Sequence, residues 1–345
     1  MRFAHQVIAG IALLCAAGLL LAAPADAVST VPPTPGALTA HNISAAYVAG
    51  VSSGGYMAGQ LHVAYSGTFK GAAIFSAGPY YCAQDGIIQA LLACTNTFLS
   101  DQLASLEQDA STWSSQGLID PISKLSGQPV WVFHGTNDTT VRASVTDDLV
   151  SFYRHFGANV TVSSATPAGH AWVSPFGPNA CSVTASPYVN NCGTDPEREL
   201  LGVLLGAAVN APNTGQLTGQ LTEFSQDTYA PNGQASSVSM GSTGYVYTPA
   251  SCAAGSPCRL LVALHGCLQS SSAIQLTFVD DANLNQYADT NNIVVLYPQA
   301  APTSLTNPNA CWDWWGYLGA SDANYARHGG AQLETIMRIV HALGG

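Results

Sequence analysis

Tyr47-Val48-Ala49-Gly50-Val51-Ser52-Ser53-Gly54-Gly55-Tyr56 decides how this chain is read. Residues 47–49 predict a short apolar strand, and residues 53–66 predict a helix despite their glycines. Between them, Gly50-Val51-Ser52-Ser53-Gly54 fits the G-x-S-x-G pattern. There a serine occupies a strand-to-helix turn so sharp that its backbone is strained, and glycines two residues away on either side prevent clashes. Such a turn lifts the hydroxyl above a sheet, beside a helix N-terminus. The pentapeptide carries little weight alone, because Gly and Ser are abundant here. The strand before it and the helix after it supply the weight. The competing reading is a glycine-rich turn with an idle serine.

Working outward, 70–76, 129–133 and 159–163 read as strands, and 101–113 and 143–156 as helices. Residues 79–97 read as a loop, partly helical. Asp195 is placed to cap a helix over 196–209, with Pro196 at its first position and Glu197 in its first turn. Residues 221–224 and 245–247 alternate as strands do, so the polar stretch 210–244 is read as strands and turns rather than an interdomain linker. Two more buried strands are expected at 259–264 and 293–297, and helices at 281–290 and 328–343. Strands alternating with helices predict an α/β fold, a mostly parallel sheet covered by helices on both faces. One domain is expected over residues 28–345, its first residues to 41 forming an irregular leader.

A serine hydroxyl becomes a useful nucleophile when a histidine takes its proton and a carboxylate orients that histidine. Open α/β sheets place such groups in loops just past strand ends. Asp138 follows strand 129–133 through His134-Gly135-Thr136-Asn137. His170 follows the next strand, in Pro167-Ala168-Gly169-His170. The plainer alternatives are a turn aspartate that caps a helix and an idle loop histidine. Asp147 and Asp148 fall inside a helix, and His134 reads as a packed strand-end residue. Backbone N–H groups must also face the oxyanion of acyl transfer. Ser53 is one expected donor. The other is Cys267, because strand 259–264 ends in His265-Gly266-Cys267.

Charged residues make up 8% of the chain, the formal net charge is −11, and there are nine Lys and Arg in all. That excludes a nucleic-acid footprint. It suits work on neutral polymers or small esters. Residues 1–27 read as a secretory signal peptide: Arg2, an apolar run over 8–23, and Ala25-Asp26-Ala27 as the cleavage site. A membrane anchor is the weaker alternative, since the run is short. The mature protein is therefore expected outside the cytoplasm, extracellular or periplasmic, free of the membrane and a monomer. Of nine cysteines, Cys15 lies in the apolar run, and the even remainder argues for disulfides. Eight cysteines can pair in roughly a hundred ways, so connectivity is a guess. Short loops suggest Cys82–Cys94, Cys181–Cys192 and Cys252–Cys258, which leaves Cys267–Cys311. The absence of CxxC spacing argues against zinc, and no metal or cofactor is required by this chemistry.

With these residues in hand, the chain resembles the poly(3-hydroxybutyrate) depolymerases, particularly the circularly permuted, single-domain kind. The resemblance rests on Gly50-Val51-Ser52-Ser53-Gly54-Gly55-Tyr56, on Leu264-His265-Gly266-Cys267, and on Asn309-Ala310-Cys311-Trp312-Asp313-Trp314-Trp315. It implies an α/β-hydrolase fold, a Ser-His-Asp mechanism, and a polyester or oligoester substrate; the separate substrate-binding domain that such enzymes often carry is not expected here. It points to Trp312 as a wall of the acyl site, with Asn307 nearby. Trp314, Trp315 and His265 are further candidate substrate contacts, and core packing is the alternative for each tryptophan. In α/β-hydrolases the oxyanion strand normally precedes the nucleophile strand, whereas here it follows by some 200 residues. Circular permutation explains this and predicts that the C-terminal helix ends beside the strand at 47. The rival readings are a feruloyl or acetyl-xylan type esterase and a non-catalytic polymer-binding protein.

Overall fold

Runs such as Pro129–Phe133 and Ile293–Tyr297 carry no charged side chain and are rich in β-branched and aromatic residues. Strands of this composition are stable only with both faces covered. The computed structural model describes residues 29–303 and 305–345; the expected signal peptide lies outside them. Its strands are β1 (Thr34–Pro35), β2 (Ile43–Val51), β3 (Phe69–Phe75), β4 (Pro129–Phe133), β5 (Asn159–Ser163), β6 (Trp172–Val173), β7 (Asn179–Ala180), β8 (Val189–Asn191), β9 (Gln220–Ser225), β10 (Thr243–Thr248), β11 (Cys258–Leu264) and β12 (Ile293–Tyr297). Nine form one sheet in the order β1-β9-β10-β12-β11-β2-β3-β4-β5, and the other three form a small sheet, β6-β8-β7. The run from β12 to β5 is parallel throughout, whereas β10 is antiparallel to both its neighbours.

Side chains alternate between the two faces with the period of two that a strand imposes. Val48, Ile74, Val132 and Val262 join the core that contains residues of helices Ser53–Ala64, Leu103–Ser115, Ala143–His155 and Ala331–Ala342. Ala49, Phe75, Trp131 and Leu261 join a second core with residues of Pro196–Leu205 and Leu284–Asn291. Phe75 packs against both Trp131 and Trp172, at centroid distances of 4.9 and 4.1 Å. This anchors the small sheet beneath the loop that carries residue 170.

Three expectations need correction. The helix expected over 281–290 is two helices, Thr277–Asp281 and Leu284–Asn291. Asn283 lies between them at φ 57°, a left-handed conformation that Asn tolerates and a helix does not. The last helix starts at Ala331 rather than 328, because Gly329 (φ 83°) turns the chain just before it. The helix expected to reach 209 stops at Leu205, where Gly206 takes the left-handed C-terminal position. Among the described residues, no helix is long and apolar enough to cross a membrane. The expected meeting of the C-terminal helix with the nucleophile strand is present. His41, just before β2, donates its N–H to the Leu343 carbonyl at 2.9 Å.

Candidate active site

β2 delivers Ser52 to the C-terminal edge of the sheet, and helix Ser53–Ala64 leaves at once. Ser52 sits at φ 58°, ψ −124°, a region that costs a side-chain-bearing residue of order 1–3 kcal/mol. The flanking glycines explain why the turn can close. A Cβ on Gly50 would lie 2.1 Å from the Gly54 carbonyl oxygen. One on Gly54 would lie 2.3 and 2.4 Å from the carbonyl oxygens of Leu264 and His265. Only hydrogen at Gly54 lets the helix start press against the end of β11. All twelve residues of the helix are buried, so its N-terminal N–H groups are held rigidly.

Asp138 lies in the turn after β4. Its Oδ1 accepts the N–H groups of Thr140 and Val141 at 2.9 and 3.1 Å. Its Oδ2 accepts Nδ1–H of His170 at 2.8 Å. Burial works against the Asp138 charge, yet the hydrogen bonds, led by that from His170, hold its carboxyl below the ordinary carboxylate range. Thr184 Oγ1 accepts the His170 backbone N–H at 2.9 Å. The other ring nitrogen, Nε2, is buried and has no hydrogen-bond partner among the described residues. His134 is a packing residue, as expected; its Nε2 meets the Val141 carbonyl at 3.0 Å.

β11 is the parallel neighbour of β2, with Leu264 opposite Gly50. The loop beyond it, 265–269, therefore arrives beside Ser52. A Cβ on Gly266 would stand 3.2 Å from Ser52 Cβ. Within this loop Gly266 N–H, Leu268 N–H and Gln269 N–H are all donated internally or to Asn309. Cys267 N–H has no partner among the described residues. Its side chain is bonded to Cys311. The remaining disulfides join Cys82 to Cys94, Cys181 to Cys192 and Cys252 to Cys258.

Ser52 and His170 line one cavity of about 440 Å³ whose wall also includes Gly266 and Cys267. Its other walls are mainly apolar: Tyr56, Ile87, Leu91, Leu268, Trp314 and Trp315. Tyr56 stacks on Trp314 at 4.0 Å and donates its hydroxyl to the Cys94 carbonyl. The stapled loop 82–94 is thereby fixed to the tryptophan cluster. Such a cavity can take a neutral acyl chain, bury its methyl groups, and leave its carbonyl near Ser52.

No family model matches the chain. A poly(3-hydroxybutyrate) depolymerase of Delftia acidovorans is 42% identical over 299 residues, covering 85% of this chain and 58% of that protein. The chain thus spans little more than half of that relative. A polyhydroxybutyrate depolymerase of Talaromyces funiculosus is 38% identical over 321 residues, covering 87% of this chain and 90% of that protein. The chain belongs to the poly(3-hydroxybutyrate) depolymerase family. A solved structure of a PHB depolymerase, a serine-to-alanine variant complexed with an R3HB trimer, superposes with a TM-score of 0.81 at 37% identity. The match covers 89% of this chain and 98% of that one. The sheet described above is accordingly an α/β-hydrolase sheet.

In this depolymerase-family chain, two of the expected substrate contacts lie elsewhere. Trp312 is fully buried, is not among the cavity-lining residues, and donates Nε1–H to the His265 carbonyl at 2.9 Å. Its size serves as a post behind the loop. His265 is also fully buried. Its Nε2 accepts Ala300 N–H, its Nδ1–H meets the Gly266 carbonyl, and burial lowers its pKa to about 4. Asn307 reaches the cavity wall, but its amide is engaged with Cys311 and Ser239. Trp314 and Trp315 do line the cavity. Sequence reasoning gave Tyr56 no place in the cavity wall and passed over Gln269 and the helix Ile87–Leu92. The last had a signal: four large aliphatic residues in a stretch read mainly as loop.

Buried groups away from the Asp138–His170 pair, carboxyls foremost, govern the pH dependence of stability. Burial raises Asp101, Asp281 and Asp313 to about 6 and Asp280 to about 7. Unfolded, each titrates near 4. Between those values the folded chain holds more protons, so stability falls as pH rises. Buried His62 and His265, lowered to about 4, act in the opposite sense up to about pH 6.5, but the four carboxyls outnumber them, so we expect the thermal midpoint to decline from about pH 4.5 to about pH 7.5. A midpoint that rises across this window in differential scanning fluorimetry would contradict it.

Proposed function

We propose that this chain hydrolyses 3-hydroxybutyrate ester linkages, in the polymer or its oligomers, through an acyl-enzyme at Ser52. The observation that carries the reading is the oriented His170–Asp138 pair in the same apolar cavity as a strained, strand-end serine. Membership of the depolymerase family supplies the substrate class. Ser52 Oγ attacks the ester carbonyl as His170 Nε2 takes its proton, and the N–H groups of Ser53 and Cys267 receive the oxyanion. The imidazolium then protonates the departing alkoxide oxygen, which leaves as the hydroxyl end of the released chain. A water, deprotonated by His170, cleaves the acyl-enzyme and restores Ser52. We also read the late position of β11 as circular permutation, and residues 1–27 as a signal for export.

Ile87, Leu91 and Leu268 line the cavity, and Ile88 (66%), Phe98 (74%) and Leu305 (90%) are exposed on the same segments that supply Ile87, Thr95 and Thr306 to its wall. An apolar rim of this kind suits a solid, uncharged surface. The mature protein is tested on polyhydroxybutyrate film, methyl ferulate and p-nitrophenyl butyrate. Clearing of the film with little action on methyl ferulate is expected. Preference for methyl ferulate without clearing would overturn the substrate assignment. Ile88→Asp with Phe98→Asp should slow film clearing about tenfold while p-nitrophenyl butyrate turnover stays within about twofold, because apolar burial at the rim is lost and the cavity is intact.

A further inference from the structure

Gln269 is 2% exposed and lies between the loop after β11 and the segment that precedes β8. Its Oε1 accepts Gly266 N–H at 2.7 Å. Its Nε2 donates to the carbonyls of Pro187 and Tyr188, at 3.0 and 2.9 Å. The Tyr188 carbonyl also accepts Trp172 N–H, at 3.0 Å. Trp172 stands two residues after His170. One side chain therefore joins the loop that presents Cys267 N–H to the loop that presents the imidazole, bond by bond. A neutral amide is the side chain that offers an acceptor and two donors together, with no charge to desolvate. A glutamate here would set a carboxylate against two carbonyl oxygens, and a leucine would leave the Gly266 N–H and the Pro187 carbonyl unpaired.

We infer that Gln269 is a positioning residue for ester cleavage, fixing the Cys267 N–H relative to His170. Its amide clamps the donor loop to the base loop. The inference rests on the acyl-enzyme reading above. The clamp acts on the backbone of residues 265–267 only through Gly266, whose carbonyl is held in turn by His265 Nδ1–H at 2.7 Å. The Gly266 carbonyl and the Cys267 N–H share one peptide plane and point opposite ways, so holding that carbonyl also fixes the direction of the N–H. A displacement of about 1 Å at such a donor is enough to cost on the order of a hundredfold in rate.

The test is steady-state kinetics on p-nitrophenyl butyrate, with thermal melting and fluorophosphonate labelling of Ser52 alongside. Gln269→Leu should lower kcat about a hundredfold with KM changed less than about threefold. Gln269→Glu adds a readout that packing alone does not move. A protonated carboxyl is again donor and acceptor, so the ratio of its kcat to that of the parent should rise as pH falls from about 8 to about 5. The same ratio for Gln269→Leu should stay flat. A Gln269→Leu enzyme with kcat within about threefold of the parent would overturn the clamp. If that variant fails to fold, a flat Gln269→Glu ratio overturns it and a rising ratio supports it. A parent that neither cleaves the ester nor labels at Ser52 would instead remove the proposed function, and the clamp with it.

Discussion

Ser52→Ala should reduce ester hydrolysis by about a millionfold, with only the residual rate that oriented donors and binding provide. The expectation follows from geometry. Asp138 and His170 are already paired at 2.8 Å, and the free Nε2 has no other hydroxyl assigned to deprotonate. The substitution removes one oxygen and leaves the turn as it is. Alanine meets the same φ of 58° at a cost similar to that for serine, so stability should change by less than about 0.5 kcal/mol. Release of hydroxybutyrate, followed with the thermal midpoint, checks both halves. Activity within about tenfold of the parent, in a folded variant, would mean that another group forms the acyl bond.

Asp138→Asn should lower kcat by about ten-thousandfold without unfolding the protein. The outcome turns on which atom each hydrogen bond needs. The asparagine carbonyl can still accept Thr140 and Val141 N–H, as Oδ1 does now. Its NH₂ must then face His170 Nδ1, which has to become an acceptor. The ring proton moves to Nε2, where a base toward Ser52 is required, and the tautomer is wrong for catalysis. Loss of charge also removes stabilisation of the imidazolium. Fluorophosphonate labelling should slow in step with ester turnover. Labelling at the parent rate would show that Asp138 does not govern the base.

The sheet was legible wherever apolar runs were long and bounded by polar turns. The strands expected at 129–133, 159–163 and 293–297 have those bounds in the structure. Fine breaks were not legible. Asn283 interrupts a helix through its backbone angle, which hydrophobic period does not report. Within the candidate site, strand-end position was enough to single out Ser52 and His170, which share one cavity, and Asp138, which pairs with His170, because their loops all leave the same edge of a parallel sheet. Trp312 shows where this kind of reading ends. The scarcity of tryptophan in a motif marks importance but does not say which face of a loop the ring supports. Gln269 illustrates the same limit. An amide two residues past an expected donor looks like any polar loop residue until its three partners, from 187, 188 and 266, are brought together by the fold.

In the proposed mechanism the bond between Cys267 and Cys311 gives one residue two duties, as amide donor and as half of a covalent strap to the tryptophan cluster. A newly made chain whose thiols are still reduced would possess its serine, imidazole and carboxylate before its donor loop was fastened. Hydrolytic competence would then arrive with oxidation rather than with folding alone. Esters in a reducing compartment would then be spared by thiol chemistry.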